Sequence, residues 1–182
     1  MADNVQPPSY TLAPDEKVVP MMIYTNTGMA RGEMITKQTI RVSTWFRSAG
    51  VYDFLHLHRA QYLVISGASS IQAHSLPDLF ISSYQIIAAH IIPPGQEPLD
   101  YDASEPNRKM EAVSVYFSLF RCNAAIRMSA SSNLGSYLST AKEVFLTLYD
   151  SEITCPAVPN MGTVRSPMLL LRPSASTFSL RH

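Results

Sequence analysis

The chain has 182 residues, a formal net charge of zero and 15% charged residues, while 46% of its residues are hydrophobic. Nucleic-acid-binding proteins usually carry a basic patch, so the balance of 14 basic and 14 acidic residues argues against nucleic-acid binding. A surface near zero net charge is poorly protected against association. The composition therefore favours a protein whose surface is partly covered by a partner.

The first 16 residues are predicted to form a flexible N-terminal arm. Pro7, Pro8 and Pro14 stand there among polar residues without periodicity. The segment lacks the apolar stretch of a signal peptide. No window of the chain approaches the ~18 consecutive apolar residues of a membrane-spanning helix. We therefore expect a cytoplasmic protein without a transmembrane segment.

Residues 17–94 are predicted to form a first β unit. Hydrophobic and β-branched residues predict strands over 18–25 and 29–36, joined by a turn at Asn26-Thr27-Gly28. Gly32 lies inside the second strand, where a glycine indicates a bend or a close backbone approach. A short helical turn over 43–48 follows, then a strand pair or one long bent strand over 51–65, and an apolar strand over 80–92 completes the unit.

Residues 95–108 predict an exposed linker, because Pro98 and Pro106 occur there among four acidic residues. Residues 109–182 predict a second, divergent β unit. Its strands are expected over 113–119, 124–128, 144–153, 168–171 and 177–180.

The chain matches itself in the two units. Tyr24 and Trp45 match Tyr116 and Tyr137 at a spacing of 92 residues, and the spacing falls to 91 and then 90 further along the chain. Repetition at a steady spacing indicates two copies of one structural unit. About five short strands in each unit, without a long helix, predict an all-β fold of two tandem small β-barrels, Sm-like or sandwich-like in plan.

The first copy resembles a known family at Arg41-Val42-Ser43-Thr44-Trp45-Phe46, preceded by Gly32 and followed by Phe54-Leu55-His56-Leu57. These residues resemble a small bacterial β-domain family of unassigned function, whose plan is similar to that of Sm-like barrels. The second copy departs from the pattern, with Asn133 in place of the arginine and Gly135 in place of the serine. The resemblance implies a small barrel and brings no catalytic residues.

His56 and His58 are the best metal-ligand candidates, because alternate positions on a strand place both side chains on one face. No third histidine or carboxylate lies at a recognisable spacing from them. Thr147 and Tyr149 stand at the matching positions of the second copy. We therefore expect a polar strand edge here and no bound metal.

No catalytic motif is recognisable. The chain has no nucleophile elbow and no phosphate-binding loop, and its sparse carboxylates form no pair suited to acid–base work. Cys122 and Cys155 fit no zinc spacing and are interpreted as small buried thiols. We expect a protein that is not an enzyme and that has no cofactor.

The candidate partner-contact residues are Trp45, Arg47 and Tyr137, because aromatic residues and arginine dominate interface hot spots. The alternative interpretation places both aromatic rings in the core. The sequence favours a structural or adapter protein that pairs with a protein partner or with itself, through sheet edges and aromatic patches. The alternative function is an Sm-like nucleic-acid-binding protein.

Overall fold

A computed structural model describes residues 10–48, 53–66 and 70–181. The fold is all β, as predicted, with ten strands and two short α-helices in the described residues. The first half contains β1 Glu16–Thr25, β2 Gly28–Lys37, α1 Val42–Arg47, β3 Phe54–Ser66, β4 Ser70–Ser82 and β5 Ala88–Ile91. The second half contains β6 Arg108–Phe117, β7 Phe120–Ser129, α2 Leu134–Thr140, β8 Leu146–Thr154, β9 Val164–Leu171 and β10 Thr177–Leu180.

All ten strands belong to one antiparallel sheet, in the order β10-β6-β7-β8-β9-β5-β1-β2-β3-β4. This sheet is not closed into a barrel, and the expected pair of separate barrels is not what the strands form. Closure of the first half on itself would require β5 to pair with β4. Instead β5 pairs with β1 of its own half and with β9 of the other half. The strand that would have closed one barrel therefore joins the two halves.

Two boundaries in the first half differ from the sequence prediction. The expected strand over 80–92 is divided by a single 3-10 turn at Ser83–Gln85, so its beginning belongs to β4 and its end to β5. β4 also begins earlier than expected, because it pairs with β3 along its whole length from Ser70 to Ser82. The predicted flexible arm is described only from Tyr10 onward, and residues 1–9 lie outside the described residues.

The two halves present the same succession of elements. In the sheet order, β10-β6-β7-β8-β9 and β5-β1-β2-β3-β4 follow one another with corresponding strands in corresponding places. Tyr24 and Tyr116 each occupy the ninth position of their ten-residue strands. Trp45 and Tyr137 each occupy the fourth position of α1 and α2.

A β-bulge interrupts the same place in both halves. The pairing of β2 with β3 shifts around Gly32, and the pairing of β7 with β8 shifts around Ala124. The bulged strand has a positive φ at Arg59 in the first half and at Asp150 in the second, 49° and 50° respectively. An extra residue at this place bends the strand and increases its twist.

The sheet curls strongly. The ring centroids of Tyr24 in β1 and Phe120 at the start of β7 lie 4.8 Å apart, and Phe117 at the end of β6 also contacts Tyr24. The turn residues Ser118 and Asn26 are joined by a hydrogen bond of 3.0 Å. In a flat sheet, five strand spacings would separate β1 from β6 by about 24 Å. Curvature therefore brings the first hairpin of each half together.

The apolar interior is formed by side chains at alternate positions of the strands. In β7 every second residue is buried, from Phe120 to Met128, while the residues between them are more exposed. The buried side chains form two clusters, one for each half, and each cluster includes residues of the other half. Tyr24 and Ile65 belong to the core of the second half, and Phe145 belongs to the core of the first. The two cores are therefore interlocked.

We predict that Gly32→Val lowers the free energy of unfolding by about 1–3 kcal/mol through overpacking. A Cβ at Gly32 would lie 3.0 Å from the Leu57 Cβ and 3.0 Å from the His58 carbonyl oxygen. Gly32→Ala is the matched control and should cost less, because Ala124 already occupies the corresponding bulge. Urea unfolding of the three proteins tests this prediction, and equal midpoints for the wild type and the valine variant would refute it.

Candidate functional site

The two edges of the sheet are its most distinctive surfaces. Neither β4 nor β10 has a second strand partner in the part of the chain that the structure describes. Phe80 on β4 is 62% exposed and Leu180 on β10 is 44% exposed. β10 contains no charged residue, and β4 contains neither lysine nor arginine. Both edges therefore lack the lysines that usually prevent pairing with another chain.

The junction between the halves shows how such edges pair in this fold. β5 and β9 are joined by only two residue pairs, Ala88 with Leu171 and Ala89 with Leu170. Arg172 secures this short contact. Its backbone N–H donates to the Ile87 carbonyl at 2.7 Å, and its guanidinium donates to carbonyl oxygens of the same segment at 2.9 and 2.7 Å.

The three predicted partner-contact residues lie on the two short helices. Trp45 is 9% exposed and belongs to the core of the first half, where its ring packs edge-on against Phe46. Tyr137 is half-buried and packs against the core of the second half. Burial raises the pKa of the Tyr137 hydroxyl. The core packing of Trp45 and Tyr137 leaves their role as partner anchors a prediction.

Arg47, the third predicted residue, reaches Asp100 in the segment between the halves. Its Nη2 donates to Asp100 Oδ2 at 2.5 Å and to Thr147 Oγ1 at 2.9 Å. Thr147 and Tyr149 of β8 donate to the same carboxylate at 2.8 and 2.6 Å. The Asp100 side chain is only 4% exposed. A single carboxylate thus ties α1 of the first half to β8 of the second.

Two other acidic residues of the linker also contact the two halves. Glu97 accepts the backbone N–H of Val42 through both carboxylate oxygens at 2.9 and 3.0 Å, and its Oε1 forms an ion pair with Lys17. Glu105 binds Arg127 at 2.7 Å. Three of the four acidic residues that predicted an exposed linker, Glu97, Asp100 and Glu105, therefore hold it against the two halves.

A cavity of about 270 Å³ opens where β5 and β9 diverge beyond their two paired residues. His90, Ser43, Glu97, Arg165 and Met168 are among its lining residues. His90 is itself buried, and its ring nitrogens lie 3.1 Å from the Tyr24 hydroxyl and 3.1 Å from the Ile91 carbonyl. Both nitrogens have partners within the fold, so the neutral ring is satisfied without a ligand.

The two histidines that the sequence indicated as metal-ligand candidates lie beside a carboxylate that the sequence did not indicate. His56 and His58 of β3 both approach Asp78 on β4. The hydrogen bond from His56 holds the pKa of the Asp78 carboxyl below its usual value. Asp78 is 20 residues from His58 in sequence, and only the β3–β4 register places them opposite each other. The strand alternation indicated the histidine pair, but no local spacing indicated its partner.

Cys122 and Cys155 are buried free thiols, and burial raises the pKa of the Cys122 thiol to about 11. No helix in the described ranges is long and apolar enough to cross a membrane.

No family model matches the chain, and comparisons with curated proteins and with solved structures found no significant match.

We predict that Asp100→Ala lowers the free energy of unfolding by about 2–3 kcal/mol, because it removes the shared acceptor of three donors in a buried position. Asp102→Ala is the matched control in the same linker, since Asp102 is exposed and its carboxylate accepts hydrogen bonds only locally, from Ser104. Chemical denaturation measures both variants. Equal losses for the two variants would contradict a tying role for Asp100.

We predict that the free energy of unfolding falls as the pH drops below ~6.5, in part because of His90. Burial lowers the pKa of His90 in the folded chain. Below pH ~6.5 the unfolded chain therefore binds a proton at His90 that the folded chain does not yet bind. This difference lowers the free energy of unfolding by up to about 1.4 kcal/mol for each pH unit, until the lowered pKa is reached.

The variant His90→Asn should flatten this part of the pH dependence, measured as unfolding free energy between pH 7.5 and pH 5 by urea titration. His74→Asn changes an exposed histidine of β4 and is the control. A pH slope unchanged in His90→Asn would show that other groups produce the acid sensitivity.

Proposed function

We propose that this protein is a non-enzymatic structural subunit that assembles head to tail with copies of itself, β4 of one chain pairing with β10 of the next. The observation that carries the proposal is the junction between β9 and β5. β9 corresponds to β4, and β5 corresponds to β10, in the repeated succession of the two halves. The two free edges are therefore the counterparts of two strands that already pair.

The correspondence also specifies a register. Ala88 and Thr177 are matched because they lie opposite Tyr24 and Tyr116 in their own halves. Leu170 and Leu171 of β9 match Phe80 and Ile81 of β4. Repetition of the internal junction would place Ile81 opposite Thr177 of the neighbouring chain, and Phe80 opposite Phe178. Cross-strand aromatic pairs of this kind stabilise antiparallel sheets.

The chemistry of β4 limits where pairing takes place. Pro77 lacks a backbone N–H, and Asp78 adds a charge, and both features discourage pairing in the middle of an edge strand. The internal junction has the same limit, because Pro167 of β9 lies before the two residues that pair with β5. The usable segment is the end of β4, at Phe80 and Ile81, where no charge is present.

Such a contact joins two different surfaces. A heterologous contact produces a closed ring when its rotation closes, and an open filament when it does not. Single-edge variants distinguish it from pairing of two identical edges. Phe80→Lys is designed to block pairing at the β4 edge, and Thr177→Lys is designed to block pairing at the β10 edge. Both substitutions replace exposed side chains.

We predict that the wild-type chain sediments as a species larger than its 20.2 kDa monomer at micromolar concentration. Each single-edge variant alone should be monomeric, because a lysine blocks one of the two surfaces that every contact needs. An equimolar mixture should yield a species of twice the chain mass, since each variant keeps the edge that the other has lost. Leu12→Lys, on an exposed leucine outside both edges, should assemble like the wild type.

A wild-type chain that stays monomeric would refute the proposal, whether the edges remain open or close on each other within one chain. Self-association retained by Thr177→Lys would indicate pairing of β4 with β4 instead. Strong absorbance at 260 nm in the assembled peak would favour the nucleic-acid alternative. Sedimentation velocity with dual-wavelength detection distinguishes these results.

A further inference from the structure

Three potential metal ligands converge on adjacent strands. The His56 Nε2 lies 2.7 Å from Asp78 Oδ1, and the His58 Nδ1 lies 2.8 Å from the same oxygen. The three ligand atoms all lie within 4.8 Å of one another. No other group of three histidine, cysteine or carboxylate residues with such spacing occurs in the described ranges. The cluster is separate from the Asp100 carboxylate and from the cavity beside His90.

The sheet register builds this cluster. His58 and Asp78 are directly opposite each other on β3 and β4, and His56 lies one alternate position along, opposite Phe80. Opposite and diagonal neighbours on one face of an antiparallel pair lie within reach of long or aromatic side chains. The backbone pairing therefore places the three side chains on one face and within reach of one another.

One atom of the cluster lacks the partner that burial requires. The His58 side chain is only 12% exposed, and its Nδ1 is buried. That nitrogen lies at ion-pair distance from Asp78 Oδ1, but it has no well-aligned hydrogen-bond partner among the described residues. Buried polar atoms are nearly always satisfied, so a buried nitrogen without a well-aligned hydrogen bond is open to a further partner. A cation bound beside Asp78 would satisfy it.

Aromatic rings support the ligands from both sides. The Tyr10 ring packs against His58 with centroids 4.6 Å apart, and the Phe80 ring stacks on His56 at 4.1 Å. The Tyr10 hydroxyl is in turn held by Glu33 at 2.7 Å. Arg59, the nearest guanidinium in sequence, forms an ion pair with Glu33 at 3.2 Å, so its charge is offset. Contacts around the ligands that fix the orientation of their rings are typical of built metal sites.

We propose that His56, His58 and Asp78 form a site for a divalent transition-metal cation of the zinc type. Imidazole nitrogen and carboxylate oxygen are the ligands that such ions prefer, at ~2.0–2.2 Å. Four-coordinate geometry at that distance separates ligands by about 3.4 Å, so each histidine nitrogen needs to move less than about 1 Å away from the Asp78 oxygen. Three protein ligands leave one position for water or another ligand. This proposal does not rest on self-assembly.

Isothermal titration of the untagged full-length chain with zinc chloride tests the site. We expect one Zn²⁺ bound per chain, together with a rise in the melting temperature, because a ligand that binds only the folded state stabilises it. Asp78→Asn and His56→Asn should each weaken Zn²⁺ binding by at least about a hundredfold. Both residues are partly exposed, so both variants should keep the fold, and circular dichroism verifies this.

His74→Asn is the matched control, because His74 lies on the same edge strand but outside the cluster. It should bind Zn²⁺ like the wild type. Absence of heat and of any melting shift at millimolar Zn²⁺ would overturn the proposal. So would Zn²⁺ binding that survives unchanged in Asp78→Asn, or that disappears in His74→Asn, since either result would place the ion on other histidines.

Discussion

The pairing of β5 with β9 is the contact on which the architecture depends. Two residue pairs join five strands of one half to five strands of the other. Ala88 and Ala89 supply small side chains on one strand, and leucines face them from the other. So short a ladder has few hydrogen bonds of its own, and Arg172 extends it with three donors to backbone carbonyls of 83–87. Its guanidinium also lies 4.6 Å from the Phe145 ring centroid, where a cation–π contact adds stability.

Two further sets of contacts connect the halves. The curl of the sheet places Tyr24 against Phe117 and Phe120, so aromatic packing connects strands that are remote in the hydrogen-bonding order. The Asp100 carboxylate joins Arg47 to Thr147 on the other side of the linker. Each half alone would be small and marginally stable, since small units bury a modest fraction of their surface. The two halves are therefore stable as one folded unit with interlocked cores.

The sequence predicted the elements better than their assembly. Alternation and turn residues located most strands, and the drifting spacing of 92, 91 and 90 residues matched Tyr24 with Tyr116 and Trp45 with Tyr137. Gly32 indicated a close approach that the bulge explains. The continuous sheet was not predictable, because pairing of β5 with β9 depends on backbone groups more than 80 residues apart and leaves no periodic signal. The partnership of Asp78 with the histidines was missed for the same reason, since cross-strand register decides it.

The divergence of the two copies shows where each half has specialised. His56 and His58 in the first half correspond to Thr147 and Tyr149 in the second, at the same positions beside the bulge. In the second half the two hydroxyl groups at these positions donate hydrogen bonds to Asp100 of the linker, and so help to hold the halves together. In the first half they converge on Asp78 of an edge strand, and one buried nitrogen is left without a hydrogen bond.

Side chains that only stabilise a fold are normally satisfied within it, as the Asp100 group is. The histidine cluster departs from that rule beside β4, the strand whose outer edge is also open. Phe80 connects the two features directly, because its ring stacks on His56 while its strand offers the unpaired edge. The histidine cluster and an open edge thus adjoin each other at β4, whereas β9, the corresponding strand of the second half, is paired on both sides.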